Sequence, residues 1–307
     1  AIKACTAMHC DLETLVRFDR KNYYYSDLPK GFQITQQFHP IGTNGYVEID
    51  VDGKKKQIRI ERIHMEEDTA KQFHKETGTY IDFNRAGTPL IEIVSKPDMH
   101  SAKEAAAYVE TLRKNLLYLN VSDVKMEEGS MRCDVNISLS KDKDTLGTKT
   151  EIKNLNSIAN VQKAVQAEIE RQSALLDAGE KVEQATRRYD EAQKTTILMR
   201  KKEGNVDYKY FPEPNIFPIQ LDLDWVKSIQ DNLEELPDAR LARFMKDYEL
   251  GEYDASVLVS DREMADFFEE VLKSTKFAKK ACNWVIGDVS AYLNKNNLNF
   301  KNVPCSS

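Results

Sequence analysis

The alternation of apolar and polar positions predicts mainly β-strands in the first two thirds of the chain. Two β-patterned runs flank Asp52-Gly53, a strong turn signal, so residues 46–60 are predicted to form a hairpin. Residues 132–139 alternate apolar and polar side chains, and the run 148–154 repeats the pattern, so these two strands are predicted to pair. Their polar side chains would form either the solvated side of an antiparallel sheet or the wall of a polar cleft.

Helical spacing of apolar residues predicts three helices within this β-rich part. Residues 1–16 carry apolar side chains at helical intervals. Ser101 and Glu104 form a capping box that should begin a helix reaching about Leu119. A third helix is predicted between Ser157 and about Gly179. The run TILM, just before residue 200, is predicted to be a strand.

The composition of the chain changes after a proline-rich segment. Pro212, Pro214 and Pro218 cannot lie within a helix or a central strand, so this segment is predicted to be an extended crossing or a domain exit. From Leu223 the pattern is helical, with a capping box at Ser260, and indicates a small all-α unit of at least three helices. The fold class is therefore predicted as α+β, a mixed or antiparallel sheet domain at 1–222 followed by a helical domain at 223–307.

Charge and cysteine content narrow the function classes. The 44 Lys and Arg residues against 50 Asp and Glu residues give a net charge of −6, so the whole chain carries no nucleic-acid footprint, and binding would need a local patch. No apolar run approaches the roughly 18 residues of a membrane span. The five cysteines are scattered, so we expect reduced thiols and no zinc. The chain begins in what the pattern predicts to be the middle of a helix, without an initiator Met, which suggests a partial sequence.

The stretch from Glu61 to Asp98 contains the strongest candidate for an active centre. Glu92 stands alone in an apolar run that is typical of a strand buried on both faces, where a carboxylate is costly unless it is paired, protonated or bound to a metal. A second acidic site precedes it at the end of a predicted strand. This site consists of His64, Glu66, Glu67 and Asp68. Such oxygen ligands suit Mg²⁺, which commonly accompanies bound phosphate.

Strand alternation divides the second acidic site between two faces. Arg62, His64 and Glu66 would share one face, with Glu67 on the other. The alternative to a functional site here is a solvated acidic turn. Farther upstream, cations stand beside three consecutive tyrosines at 23–25. These cations could hold a phosphate or a nucleobase, or they could be the solvated edge of a strand with a tyrosine face.

Several long motifs resemble, in order and spacing, the B-subunit family of tRNA-dependent amidotransferases (GatB of the GatCAB complex). The motifs are DRKNYYYSDLPKGFQITQ, HMEED, NRAGTPLIEIVS, MEEGSMRCDVNIS, TKTEIKNLNS, TRRYDE and YKYFPEPN. The resemblance implies that the side-chain carboxyl of Glu-tRNA(Gln) or Asp-tRNA(Asn) is phosphorylated with ATP and Mg²⁺. It also implies that ammonia from a glutaminase, the A subunit, then forms the amide, while the C subunit holds the other two together.

The resemblance also implies roles for individual positions. The positions that match the family's metal ligands are Glu67 and Glu92, which a His and a Glu near the family's N-terminus would complete. Arg20 and His64 are expected to help bind ATP, while Glu66 and Asp68 are expected to have supporting roles. We further expect catalysis or the ammonia path to use the remaining charged positions. These are Lys21, Lys30, Asp134, Lys149, Glu151 and Lys153.

Two departures from the family pattern leave an alternative open. The chain lacks the family's first stretch, with its remaining metal ligands, and the tail domain that helps hold tRNA. If those segments were truly missing, the protein would be a non-catalytic tRNA-binding scaffold of the same fold. A neighbouring possibility, the archaeal Glu-specific relative, carries a large inserted domain for which residues 156–223 leave no room. The expected location is cytoplasmic, with an organelle not excluded.

Overall fold

The computed structural model describes residues 1–142, 145–201 and 207–304. Its contacts divide the chain into two compact units. The first comprises Ala1–Arg113 and Ser122–Asn232, and the second comprises Lys114–Val121 and Leu233–Ser307. Among the described residues, the first unit contains all of the strands and the second is helical, so the predicted α+β class is confirmed. No helix among the described residues is long and apolar enough to cross a membrane.

The main sheet of the first unit has the strand order β1-β5-β6-β9. Its strands are β1 (Asp11–Leu12), β5 (Gly42–Val51), β6 (Lys54–Glu67) and β9 (Pro89–Ser95). The predicted hairpin is confirmed, because β5 and β6 pair antiparallel around Asp52 and Gly53. Both turn residues have positive φ, 54° and 75°, as a tight two-residue hairpin turn requires. The inward side chains of Ile49, Ile58 and Ile60 are fully buried.

The long N-terminal helix predicted for residues 1–16 is wrong. Helix α1 (Ile2–Ala7) ends after six residues, and His9 adopts a left-handed φ of 54°. The chain then forms β1, whose Leu12 pairs with Gly42 of β5, and β2 (Leu15–Val16). Pairing with β5 satisfies backbone groups that a longer helix would have satisfied internally, so the tertiary contact overrides the helical spacing.

A second sheet, with the order β10-β11-β12-β13, carries helix α3 (Ile158–Asp177). Its strands are β10 (Cys133–Ile137), β11 (Thr150–Leu155), β12 (Ala185–Asp190) and β13 (Thr195–Lys201). The predicted β10–β11 pair is antiparallel as expected, and the predicted TILM strand lies within β13. Ser157 caps α3 by accepting a hydrogen bond from Asn160 N, which confirms the predicted helix start.

Three smaller sheets complete the first unit. They join β14-β3-β4, β15-β2 and β7-β8, in which the remaining strands are β3 (Asp19–Asn22), β4 (Phe32–Thr35), β7 (Lys71–Lys75), β8 (Gly78–Asp82), β14 (Phe211–Pro212) and β15 (Ile219–Gln220). The proline-rich segment is therefore an extended crossing that pairs with β3 and β2. Helix α2 (Ala102–Tyr118) begins after Ser101, whose Oγ accepts from Glu104 N, as the capping box predicts. Its last turn belongs to the second unit.

The second unit is a set of short helices around a core of aromatic and aliphatic residues. Helix α4 (Leu223–Asp231) precedes it, and its own helices are α5 (Pro237–Asp247), α6 (Glu252–Ser260), α7 (Arg262–Leu272), α8 (Ala278–Trp284) and α9 (Ser290–Lys295). Phe244 and Phe268 are fully buried at the centre. The capping box predicted at Ser260 is wrong, because Asp261 caps α7 through Met264 N and Ser260 ends α6.

Candidate metal centre

The pairing of β6 with β9 builds a cluster of one imidazole and two carboxylates. In the strand register His64 lies opposite Glu92, and Glu66 shares the face of His64 because alternate strand residues do so. His64 Nε2 lies 3.5 Å from Glu92 Oε2 and 3.7 Å from Glu66 Oε2. One ligand atom from each of the three residues lies within 4.8 Å of the others. We call these three residues the His64 cluster.

The charges of the His64 cluster stabilise one another. Burial disfavours the imidazolium, but hydrogen bonding to Glu66 and Glu92 outweighs burial and raises the pKa of His64 above its usual value. Hydrogen bonding to His64 in turn lowers the pKa of Glu92, and the nearby charges of Lys21 and Arg62 lower it further. Glu92 is therefore ionised at neutral pH, as a metal ligand must be.

Arg62 fixes the role of the imidazole within the cluster. Arg62 Nε donates to His64 Nδ1 at 3.2 Å, and the same guanidinium donates to the backbone oxygens of Gln36 and Gln37. In the neutral imidazole Nδ1 accepts this hydrogen bond, so we assign the single proton of that form to Nε2, the nitrogen that faces the carboxylates. Protonation of Nδ1 would give up the hydrogen bond from Arg62. His64 therefore orients Glu66 and Glu92, whose carboxylate oxygens are the type of donor that suits a hard cation such as Mg²⁺.

The burial argument for Glu92 is wrong, although the residue lies in the cluster. Strand β9 is an edge strand of its sheet, and its positions are exposed or half-buried rather than buried on both faces. The Glu92 side chain is 54% exposed. The carboxylate thus avoids the full cost of burial, and its place opposite His64 is what brings it into the cluster.

Glu67 occupies a different environment from Glu92. It lies on the opposite face of β6 from the His64 cluster, as the alternation predicts, and its Oε1 accepts from Ile34 N at 2.9 Å and pairs with Lys30 Nζ. Gln33 of β4 also donates to the backbone oxygen of Glu67 at 2.7 Å. The expected ion-binding pair of Glu67 and Glu92 therefore stays a prediction, while Lys30 and Glu67 are brought together directly.

The two cations of β3 have different partners. Arg20 donates from Nε and one terminal nitrogen to the carboxylate of Glu213, at 2.6 and 3.0 Å, and its guanidinium lies 3.9 Å from the centre of the Phe32 ring. These contacts join β3 to β4 and to the segment after β14. Lys21 Nζ lies 4.8 Å from the centre of the Tyr208 ring, and its charge acts on Glu92. Of these two cations, Lys21 is therefore the one whose charge lowers the pKa of a residue in the His64 cluster.

The polar face of the second sheet brings most of the predicted wall residues together. Lys153 Nζ lies 2.8 Å from Asp134 and 3.3 Å from Glu151, and these carboxylates raise the pKa of Lys153 against the opposing effect of burial. Thr186 also donates to Glu151 at 3.1 Å. Lys149, just before β11, is exposed and lies outside this group of contacts.

Sequence reasoning missed two arginines that meet at Asp68. The Asp68 side chain is 7% exposed, and its carboxylate lies 2.7 Å from Arg132 and 3.2 Å from Arg85. Both arginines belong to motifs already identified, NRAGTP and GSMRCD, and each is close in sequence to a glycine with positive φ. That pattern was visible, but nothing local in the sequence shows that the two motifs converge on one carboxylate.

Comparison with known proteins places this geometry in a family. A family described as the GatB/GatE catalytic domain matches residues 1–227, and a second, described as a GatB domain, matches residues 266–307. The chain belongs to the GatB/GatE catalytic domain family. The His64 cluster, the Lys30–Glu67 pair and the Asp68 arginines all lie within the residues matched by that family.

Curated relatives agree over nearly the whole chain. It is 52% identical over 297 residues to the B subunit of the aspartyl/glutamyl-tRNA(Asn/Gln) amidotransferase from Oceanobacillus iheyensis, covering 96% of this chain and 62% of the relative. The proteins of the same name from Mesoplasma florum and Bacillus cereus are each 51% identical, over 298 and 304 residues. These alignments cover 97% and 99% of this chain, but 62% and 64% of the relatives. The chain therefore spans a little over three fifths of the length of the relatives it matches.

Proposed function

We propose that the chain is the catalytic part of the B subunit of a tRNA-dependent amidotransferase. It would activate the side-chain carboxyl of Glu-tRNA(Gln) or Asp-tRNA(Asn) by ATP-dependent phosphorylation and then direct ammonia to the acyl phosphate. The observation that carries this proposal is that a His64 cluster able to hold a cation lies inside a match to the GatB/GatE catalytic domain. The partners would be the misacylated tRNA together with the A (glutaminase) and C subunits of the complex.

The residues of the His64 cluster fit a Mg²⁺ ion by the chemistry of their donors. Glu92 would hold the ion together with Glu66, which lies beside it. Glu67, the second ligand that the resemblance implies, lies on the opposite face of β6 in an ion pair with Lys30, so its part in metal binding stays a prediction. When bound, Mg²⁺ would neutralise charge on the phosphates of ATP. His64 would keep the carboxylates oriented, and Lys21 would add positive charge on the same side.

The polar wall would serve the second half of the reaction. The group of Lys153, Asp134 and Glu151 offers alternating donors and acceptors on one face of the second sheet. Such a face can pass ammonia by exchanging hydrogen bonds without binding it tightly. Lys30, held by Glu67 and placed 4.7 Å from the centre of the Phe32 ring, would be available at the point where ammonia meets the activated carboxyl.

Carboxylate-to-amide variants test the proposal and identify the metal ligands. The complete reading frame would be purified with its A and C subunits, and ATP-dependent amidation of Glu-tRNA(Gln) measured for Glu92→Gln, Glu66→Gln and Glu67→Gln. We expect Glu92→Gln to lower kcat at least about 100-fold, because removing a charged group that stabilises the transition state costs several kcal/mol. Of Glu66→Gln and Glu67→Gln, the variant that removes a metal ligand should also weaken Mn²⁺ binding in calorimetry. The other variant should leave Mn²⁺ binding unchanged.

Glu48→Gln is the matched control, because Glu48 lies on the hairpin and forms an exposed ion pair with Lys55. This variant should retain wild-type activity. Wild-type activity in Glu92→Gln would refute the metal assignment. A wild-type complex that binds tRNA but neither consumes ATP nor forms amide would favour the non-catalytic scaffold.

A further inference from the structure

Asp68 draws two arginines from distant parts of the chain to one point. Its Oδ1 lies 2.7 Å from a terminal nitrogen of Arg132 and its Oδ2 lies 3.2 Å from Nε of Arg85. Thr69 N also donates to Oδ1 at 2.9 Å. Two guanidiniums on one carboxylate leave an excess of one positive charge. The arrangement therefore concentrates positive charge in a chain whose net charge is −6.

Most of the hydrogen-bonding capacity of these arginines is unused by the protein. Each guanidinium has five N–H groups, and its ion pair with Asp68 is made at one edge, closest at Nε of Arg85 and at a terminal nitrogen of Arg132. Within the residues that the structure describes, Arg85 and Arg132 have no other hydrogen bond or ion pair. Their side chains are 39% and 56% exposed, whereas Asp68 is buried. The buried carboxylate thus holds both guanidiniums, and their remaining N–H groups are exposed to solvent.

The backbone around Asp68 is built to present these side chains. Asp68 N donates to Thr88 O at 2.8 Å and Gly87 N donates to Asp68 O at 2.9 Å, so the turn that carries Arg85 is tied to the end of β6. Gly87 has a φ of 78°, a left-handed conformation that side chains rarely adopt. Arg85 lies in the turn between β8 and β9, and Arg132 directly precedes β10.

The location of the pair points to its ligand. Asp68 follows Glu66 by two residues, at most roughly 7 Å along the chain, so the backbone of the residue that holds the arginines lies close to that of the His64 cluster. Glu67, which pairs with Lys30, lies between Glu66 and Asp68 in sequence. A planar guanidinium fork matches phosphate oxygens in pairs, and two forks at one point suit a compact polyphosphate better than a long RNA backbone, which a stripe of cations would follow.

We propose that Arg85 and Arg132, positioned by Asp68, form a clamp for the polyphosphate of the nucleotide. The proposal rests on the proposed function for the identity of the nucleotide as ATP. The clamp receives the phosphates that extend away from the His64 cluster, and Asp68 is a positioning residue that touches no substrate.

Binding measurements on the complete complex test the clamp. Titration calorimetry would compare ATP, inorganic pyrophosphate and adenosine for wild type, Arg85→Gln and Arg132→Gln. We expect each variant to bind ATP and pyrophosphate about 10- to 100-fold more weakly than the wild type, the range for a lost charge-assisted hydrogen bond. Adenosine, which has no phosphate, should bind the variants and the wild type equally. Arg85→Lys and Arg132→Lys, which keep the ion pair with Asp68 but lose the fork, should also weaken pyrophosphate.

Arg59→Gln is the matched control, since Arg59 forms a bidentate pair with Asp98 elsewhere on β6. It should bind pyrophosphate as the wild type does. Undiminished pyrophosphate binding in both arginine variants would overturn the clamp even if amidation proceeds normally. Pyrophosphate binding that depends on the arginines in a complex without amidation would uphold the clamp and reject the proposed function. A salt-dependent loss of tRNA binding alone, with pyrophosphate unaffected, would assign the arginines to RNA and overturn the clamp.

Discussion

At the scale of single residues, one carboxylate ties the segment after β9 to β6. Asp98, just after β9, accepts from Arg59 backbone N at 2.9 Å, from Nε at 2.8 Å and from a terminal nitrogen at 2.6 Å. Hydrogen bonding to the Arg59 side chain lowers the pKa of Asp98 to about 2, against the opposing effect of burial. The end of β9 is therefore held to β6, the strand that carries His64.

We expect Asp98→Asn to reduce the free energy of unfolding by about 1 kcal/mol at pH 7, because Arg59 is largely exposed and solvent screens the pair. Since the folded pKa is depressed, this stabilisation is present above the unfolded value near 3.8 and is lost as pH falls through about 2. Urea unfolding between pH 7 and pH 2 should show the variant and wild-type curves converging at the acid end. A difference that stays constant with pH would contradict the assignment. Asp52→Asn, which removes a more exposed pair with Lys103, should change stability by less than about 0.5 kcal/mol.

At the scale of elements, the turn after α1 packs against β5 with no room for a side chain. Tyr46 N donates to Met8 O at 2.8 Å, which brings the two backbones together beside Gly45. A Cβ at Gly45 would overlap Met8 O and the Cys10 sulfur. This close approach is what ends the helix early and allows β1 to join the sheet.

Gly45→Ala should therefore destabilise the first unit by about 2 kcal/mol, the typical cost of overpacking against atoms that cannot move freely. Gly287→Ala is a suitable comparison, because a Cβ there meets nothing within 4 Å. That substitution should be neutral or stabilise by up to about 1 kcal/mol, since alanine favours helical conformation. Thermal unfolding monitored by circular dichroism measures both. Equal effects of the two substitutions would show that backbone propensity, rather than the close approach, controls this region.

At the scale of the whole molecule, the second unit is discontinuous in sequence. The last turn of α2 supplies Tyr118, which is 1% exposed in the core of the helical unit. Its hydroxyl donates to Val259 O at 2.8 Å, and its backbone oxygen accepts from Arg262 at 2.7 Å. The helical residues after 233 thus need a segment that lies more than a hundred positions earlier.

Tyr118→Ala should lower the stability of the second unit by about 3–5 kcal/mol, the usual cost of removing a large buried side chain. Tyr118→Phe should cost only about 1 kcal/mol, because it removes the hydroxyl hydrogen bond and leaves the packing intact. In hydrogen exchange followed by mass spectrometry, the Tyr118→Ala variant should exchange faster than the wild type in α5–α9. Exchange in β5 and β6 should be the same in both proteins. Faster exchange spread evenly over both units would contradict the division into two units.

Local sequence signals predicted those elements whose stability is local. The hairpin turn at Asp52-Gly53, the Ser101 capping box and the Ser157 cap depend on residues within four positions of one another, and all three are confirmed. The Ser260 cap was wrong by one residue, because the neighbouring Asp261 takes that role. The larger errors fell where a distant partner decides. Residues 8–12 left the helical path because β5 pairs with them, and Glu92 proved half-exposed because β9 lies at an edge.

The sequence by itself determined the class of fold, the motifs and the face of β6 to which each acidic residue belongs, because strand alternation is a local property. Only the tertiary structure decided which groups meet. The register of β6 and β9 set His64 opposite Glu92, and the contacts of Asp68 joined Arg85 and Arg132 from separate loops. Such meetings depend on strand register and long-range ion pairs, which no stretch of neighbouring residues specifies.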